Sequence, residues 1–89
     1  MSCQFVSALA PQLEAFVRHR RACDRWCHSY ETQTRLFDLN CARVDPDAAT
    51  LTQEMVDSWF RMRDTESPTS CYVRTAPARA FVEFARAAG

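Results

Sequence analysis

The chain has no lysine, a single glycine and no apolar run approaching the ~20 residues of a membrane span. Each scarcity excludes something. One glycine rules out a glycine-rich phosphate loop. With only four prolines beside it, the chain also has too few turn residues for a hairpin-built β protein. No basic region precedes the short apolar piece near the N-terminus, so no secretory leader is expected. Five cysteines (Cys3, Cys23, Cys27, Cys41 and Cys71) are an odd number without the spacing of a disulfide framework. A reducing, cytoplasmic setting is the expectation.

What is present is enough to fold. Eighty-nine residues, 47% hydrophobic and 11% aromatic, predict one domain that must use its core well, rather than a disordered tail. All eleven basic residues are arginine, matched by eleven acidic ones. Arginine forks onto phosphate or carboxylate through two parallel hydrogen bonds, which lysine cannot do. A codon bias toward GC gives the same composition with no ligand at all. A net charge of zero still permits nucleic-acid binding, provided the charges are segregated on the surface.

Four helices are predicted. The first runs from about Ala8 to Arg21, with a start nearer Ala10 if Pro11 occupies the first turn; Leu9, Leu13, Phe16 and Val17 form its stripe. A turn is placed near Asp24 to Ser29, although nothing there forces a break. The second helix covers about Tyr30 to Ala42, with Ser29 or Thr32 as cap. Arg43 to Thr50 is a loop built on Asp45-Pro46-Asp47. The third helix starts at Thr50 or Thr52, and Thr50 with Gln53 fits a capping box. The fourth is bounded by Ser67-Pro68 and Gly89, with an apolar side on Val73, Ala76, Ala80 and Phe84 and a bend expected at Pro77. The fold class is therefore all-α, a compact four-helix bundle. Its expected core is Leu13, Phe16, Trp26 or Tyr30, Phe37, Met55, Trp59, Val73, Phe81 and Phe84.

Catalytic constellations are sparse. His19 and His28 stand alone, and a nucleophile needs both a base in reach and a group to orient that base. Cys23 or Cys27 beside them on one helix rarely gives that geometry, so no catalytic residue is assigned. His19, Cys23 and Cys27, four apart, would line one helix face, with Cys41 as a fourth ligand for zinc. The C-x2-C knuckle of structural zinc sites is missing, however, and free cysteines usually pack as small apolar residues; no metal or other cofactor is expected. The arginines are more informative. Arg18, Arg20, Arg21 and Arg25 cluster at the end of the first helix, and Arg35 lies on the second. Arg74 and Arg79 are about 140° apart around the fourth. Ser67, Thr69 and Ser70 bring hydroxyls and free N–H groups to that helix's start, the ingredients of a phosphate contact. For any single arginine, a solvated face paired with carboxylates is the plainer reading. The acids concentrate elsewhere, on Asp45, Asp47, Glu54, Asp57, Asp64 and Glu66.

One order of features is shared with a known family. Phe37-Asp38 with Cys41 ends the second helix, and Leu51-Thr52 opens the third, with Trp59 inside it. Ser67-Pro68, Arg74, Arg79 with Phe81, Phe84 and Gly89 follow. In this order the chain, from about Leu9 onward, resembles the N-terminal core-binding domain of tyrosine recombinases of the phage-integrase type. It departs from the pattern where a G-Y pair usually follows the first helix, where Pro77 replaces an aliphatic residue, and near Cys71, where a basic residue is frequent. The resemblance implies a SAM-like orthogonal bundle forming half of a clamp around double-stranded DNA. It also implies self-association of the full-length recombinase on DNA, and strand cleavage by a separate C-terminal domain outside these residues, with Tyr30 and Tyr72 not nucleophiles. Neither a membrane nor a small-molecule substrate belongs to this role. By position the DNA contacts expected are Thr34 and Arg35 on the second helix and Thr69, Ser70, Arg74 and Arg79 on the fourth, with Glu83 as an alternative partner for Arg79. The other reading is a helical protein-interaction module, with a patch drawn from Phe5, Trp26, Phe60 or Tyr72.

Overall fold

A computed structural model describes residues 5–88. Its elements are α1 (Ala10–Ala22), α2 (His28–Val44), α3 (Gln53–Phe60) and α4 (Pro68–Ala88), with no strand among the described residues. The bundle is all-α and compact, with a radius of gyration of 12.5 Å.

The end of α1 shows how the chain turns without glycine. Asp24 takes φ 55°, the left-handed position that usually falls to glycine. The Asp24 N–H donates to the Arg21 carbonyl at 3.1 Å, and the Arg25 N–H reaches back to that of Arg20 at 2.9 Å. These are the paired bonds of a Schellman stop, and aspartate is one of the few side chains that tolerates the position. The Arg20 guanidinium holds the turn to the next helix. It donates to the Arg25 carbonyl at 3.3 Å and lies 4.9 Å from the centre of the Tyr30 ring. The break therefore spans residues 23–27 with Trp26 inside it, and α2 starts two residues earlier than the spacing predicted, with Cys27 rather than Ser29 at its cap.

The other ends follow local rules. Thr52, not Thr50, caps α3: its hydroxyl accepts from the Met55 N–H at 3.2 Å. Gln53 turns to Asp57 instead of closing a capping box. The Ser67 hydroxyl accepts from the Ser70 N–H at 3.1 Å, and Pro68 opens α4. Pro77 is buried, and α4 stays one helix through it.

The core is aromatic at its centre. Phe81 is fully buried and meets Phe16 at 5.5 Å and Phe37 at 6.0 Å, both edge to face. Such pairs add about 0.5–1.5 kcal/mol each beyond the area they bury. Leu9, Leu13, Val17, Cys41, Met55, Trp59 and Ala78 complete the buried cluster, with Trp26 and Phe84 packed against its edge. Val73 does not belong to it. It is 60% exposed, because the inward face of α4 runs through Arg74, Thr75, Ala78, Phe81 and Val82. Those positions centre about 140° around the helix from the stripe of Val73, Ala80 and Phe84.

Asp38 ties the chain's beginning to α2. Its two carboxylate oxygens accept from the backbone N–H groups of Val6 (2.8 Å) and Ser7 (3.0 Å), and it is almost wholly buried. Asn40 joins α2 to α3 by donating to the Ser58 hydroxyl at 3.0 Å.

Candidate nucleic-acid interface

Of the six residues expected to touch DNA, two face inward. Thr34 is 2% exposed, and its hydroxyl donates to the Tyr30 carbonyl one turn back at 2.6 Å. Arg74 is 8% exposed and engaged on every side. Its Nε donates to Glu66 Oε2 at 2.6 Å and its Nη2 to Glu66 Oε1 at 3.0 Å, a two-pronged grip on one carboxylate. The same guanidinium donates to the carbonyls of Trp59 (2.8 Å) and Arg61 (3.2 Å), which lack further helical partners at the end of α3. Arg74 is thus a lock between α3, the connection after it and α4, and this corrects its reading as a surface contact. The grip also holds the Glu66 carboxyl far below its ordinary value of 4.5, at about 2, mainly through the hydrogen bonds from Arg74.

The remaining four are reachable. Arg35 is exposed, as are Thr69 and Ser70 in the first turn of α4. The Ser70 N–H donates to the Ser67 hydroxyl, which in turn donates to the Ser70 hydroxyl, and the Thr69 N–H lies in the first turn, where helical N–H groups have no partner within the helix. Arg79 is half-buried and does not pair with Glu83. Its Nη1 donates to the Thr75 hydroxyl at 2.6 Å and its Nη2 to the Tyr72 carbonyl at 3.0 Å. The guanidinium lies 4.2 Å from the centre of the Tyr72 ring, and Tyr72 is 67% exposed. A flat cation fixed on an exposed aromatic face is pre-ordered for a phosphate or a base.

Apart from the buried Asp38, carboxylates are confined to the ends of the helices that carry these residues, at Glu31 in the first turn of α2 and the exposed Glu83 beyond Arg79 on α4. Between 32 and 44 on α2 the one acidic residue is Asp38, which is buried. Between 68 and 82 on α4 there is none. The exposed carboxylates of Asp47, Glu54, Asp57 and Asp64 belong to the α2–α3 loop, α3 and the α3–α4 connection.

Cys23 lies in the turn beyond α1, Cys27 caps α2, and His19 packs 5.5 Å from Phe84. Among the described residues no three His, Cys, Asp or Glu side chains come together as a metal would require. Among the described residues no helix is long and apolar enough to cross a membrane. Phe5, Trp26 and Phe60 pack against the core, which leaves Tyr72 as the exposed member of the alternative interaction patch. Besides Val6, Tyr72 and Val73, the apolar side chains of Leu36, Leu39 and Met62 stand out; the helical spacing expects Met62 on the buried side of α3, but it lies beyond the end of that helix and is exposed.

No protein-family model matches the chain, and no curated protein or solved structure matches it either.

Proposed function

We propose that this chain is a DNA-binding helical module of the kind found in the N-terminal half of tyrosine recombinases. In this reading it grips duplex DNA, helps protomers assemble there, and performs no strand chemistry itself. The observation that carries it is the segregation of charge. A chain of zero net charge presents stretches of α2 and α4 free of exposed carboxylates, with Arg35 on one and Arg79 stacked on Tyr72 on the other. Phosphate contacts need such a surface, because a nearby carboxylate cancels the field that attracts the backbone. The ordered motifs from Phe37 to Phe84 add the resemblance to the recombinase family. Arg74, in this reading, supports the interface from below by fixing the start of α4, where Thr69 and Ser70 stand.

The test is a titration of the chain with mixed-sequence duplex DNA at low and moderate salt, followed by fluorescence anisotropy. Binding of roughly 10⁻⁴ to 10⁻⁶ M that weakens steeply with salt is expected from phosphate contacts. An Arg35→Ala, Arg79→Ala double variant should lose most of it while keeping its helical signal. Absence of binding at low salt, or binding indifferent to both salt and variant, sinks the proposal.

A further inference from the structure

The least explained surface lies where α2 meets the end of α3. Leu36 and Leu39 are 43% and 53% exposed, one turn apart on α2. With Asn40, Arg43, Trp59 and Arg63 they line a cleft of about 290 Å³. Met62, beside Arg63 in the chain, is 51% exposed. The two charged side chains lining the cleft are both arginines, and neither is paired with a carboxylate among the described residues. Arg43 donates to Asn40 Oδ1 at 3.0 Å, and the Arg63 guanidinium lies 5.6 Å from the centre of the Trp59 ring. Both cations are positioned, yet neither is neutralised. The indole N–H of Trp59 is buried without a partner.

Size and chemistry narrow the occupant. The cleft falls just below the ~300–1,000 Å³ of small-molecule pockets, so it suits one or two side chains of a larger partner. Exposed leucines gain nothing from a sugar–phosphate backbone, whereas apolar anchors one turn apart are what a helix laid in a groove uses. Unpaired arginines at the cleft select carboxylates beside those anchors. From this charge complementarity we infer that the Leu36–Leu39 face is a docking site for an acidic amphipathic helix of a protein partner. The partner's apolar side chain enters between Leu36, Leu39 and Trp59, and its glutamates or aspartates meet Arg43 and Arg63. This site does not depend on the DNA reading, which rests on Arg35 and Arg79.

The experiment is an NMR titration of the ¹⁵N-labelled chain with a synthetic helical peptide carrying leucines at one-turn spacing, flanked by glutamates. The same peptide with every glutamate replaced by lysine serves as control, and a short DNA duplex is run in parallel. Shifts confined to residues 36–43 and 59–63 are expected with the acidic peptide, with affinity at least about tenfold above the lysine twin, as one lost charge-assisted pair at ~1.5–3 kcal/mol requires. Leu39→Glu should abolish the response, and an Arg43→Glu, Arg63→Glu double variant should weaken it by about tenfold or more. These side chains are exposed at the rim, and circular dichroism of each variant checks that the fold is intact. Equal binding of both peptides, shifts elsewhere, or no response to the acidic peptide overturns the inference. So does a duplex that shifts Arg43 and residues 59–63, away from Arg35, in the wild type and in Leu39→Glu alike, which makes the face a nucleic-acid surface.

Discussion

The guanidinium of Arg74 lies 4.8 Å from the centre of the Trp59 ring and, through Nη1, donates to the carbonyl of that same tryptophan at 2.8 Å. One residue of α4 therefore holds both the side chain and the backbone of a core residue in α3. The remaining donors hold Glu66 and Arg61, so the whole connection between the two helices is organised by one fork. Arg74→Ala leaves two carbonyls without donors and the Glu66 carboxylate with only the Arg63 N–H (3.2 Å). Unsatisfied buried acceptors cost about 1–3 kcal/mol, a large share of the 5–15 kcal/mol that a small domain commands. The expected result is a clear fall in the urea midpoint with the slope unchanged. Arg79→Ala, whose guanidinium lies against an exposed ring, should leave the midpoint nearly unmoved. Similar midpoints for the two variants would contradict the division between a structural arginine and a surface one.

The Glu66 carboxyl carries a pH signature of the same fork. Arg74 depresses it from 4.5 to about 2 in the folded chain. A carboxylate lowered on folding stabilises the native state fully above its unfolded value, and that contribution is lost as pH falls toward the folded one. Melting temperature should therefore drop between about pH 4.5 and pH 2 more steeply in the wild type than in Glu66→Gln. The variant, lacking the ionisation, should be the less stable protein at neutral pH and should converge on the wild type in acid. Parallel acid profiles would show that the pair does not contribute to stability in this way.

Whether an element was legible beforehand depended on whether its cause was local. Ser67-Pro68 and Thr52 mark helix starts within three residues of themselves, and both caps form. The end of α1 at Ala22 falls within one residue of the expected Arg21, whereas the start of α2 comes two residues early, because the stop between them is a tight one built on Asp24 in a conformation that sequence rules assign first to glycine. The inward face of α4 lies about 140° from the one its apolar spacing suggests. Its many alanines weigh equally on any face, so the Val73 stripe looked as good as the one through Ala78 and Phe81 that the core selects. That shift carried Arg74 from the surface to the interior. Arg74 could have been found by asking what Glu66 and the end of α3 require, since orphan carbonyls followed by a carboxylate call for a multi-donor partner. Leu36 and Leu39 gave no such signal: leucine on a helix predicts burial whether or not a neighbour covers it.

Asp38 offers a second test of long-range anchoring. Its carboxylate fixes the N–H groups of Val6 and Ser7, and Ser7 in turn accepts from the Leu9 N–H at 3.2 Å just before α1 begins. Asp38→Ala should release this leader and loosen Leu9, at a cost of about 1–3 kcal/mol from donors left buried without acceptors. Hydrogen exchange is the direct readout. The amides of Val6 and Ser7 should lose protection by a larger factor than those in the middle of α4. Unchanged protection at both positions would mean that the leader is held by packing of Phe5 and Leu9 alone.

The cysteines separate by environment, and alkylation should sort them. Cys41 is fully buried, and burial pushes its thiol up to about 12, with the Asp38 carboxylate adding to the rise. Cys27 is exposed at the cap of α2, where a hydrogen bond with the Ser29 hydroxyl (3.3 Å between Sγ and Oγ) and backbone N–H groups lower its thiol below the ordinary value. The thiolate is the reactive species, so rate follows both access and this lowering. Iodoacetamide at neutral pH should label Cys27 ahead of Cys41 by orders of magnitude, and Cys41 only as fast as the chain opens. Ser29→Ala should slow Cys27 selectively, since the largest cause of its lowered thiol is removed while its exposure is kept. A Cys41 that reacts alongside Cys27 in the absence of denaturant would place it outside the closed core. Labelling read residue by residue by mass spectrometry decides between these outcomes.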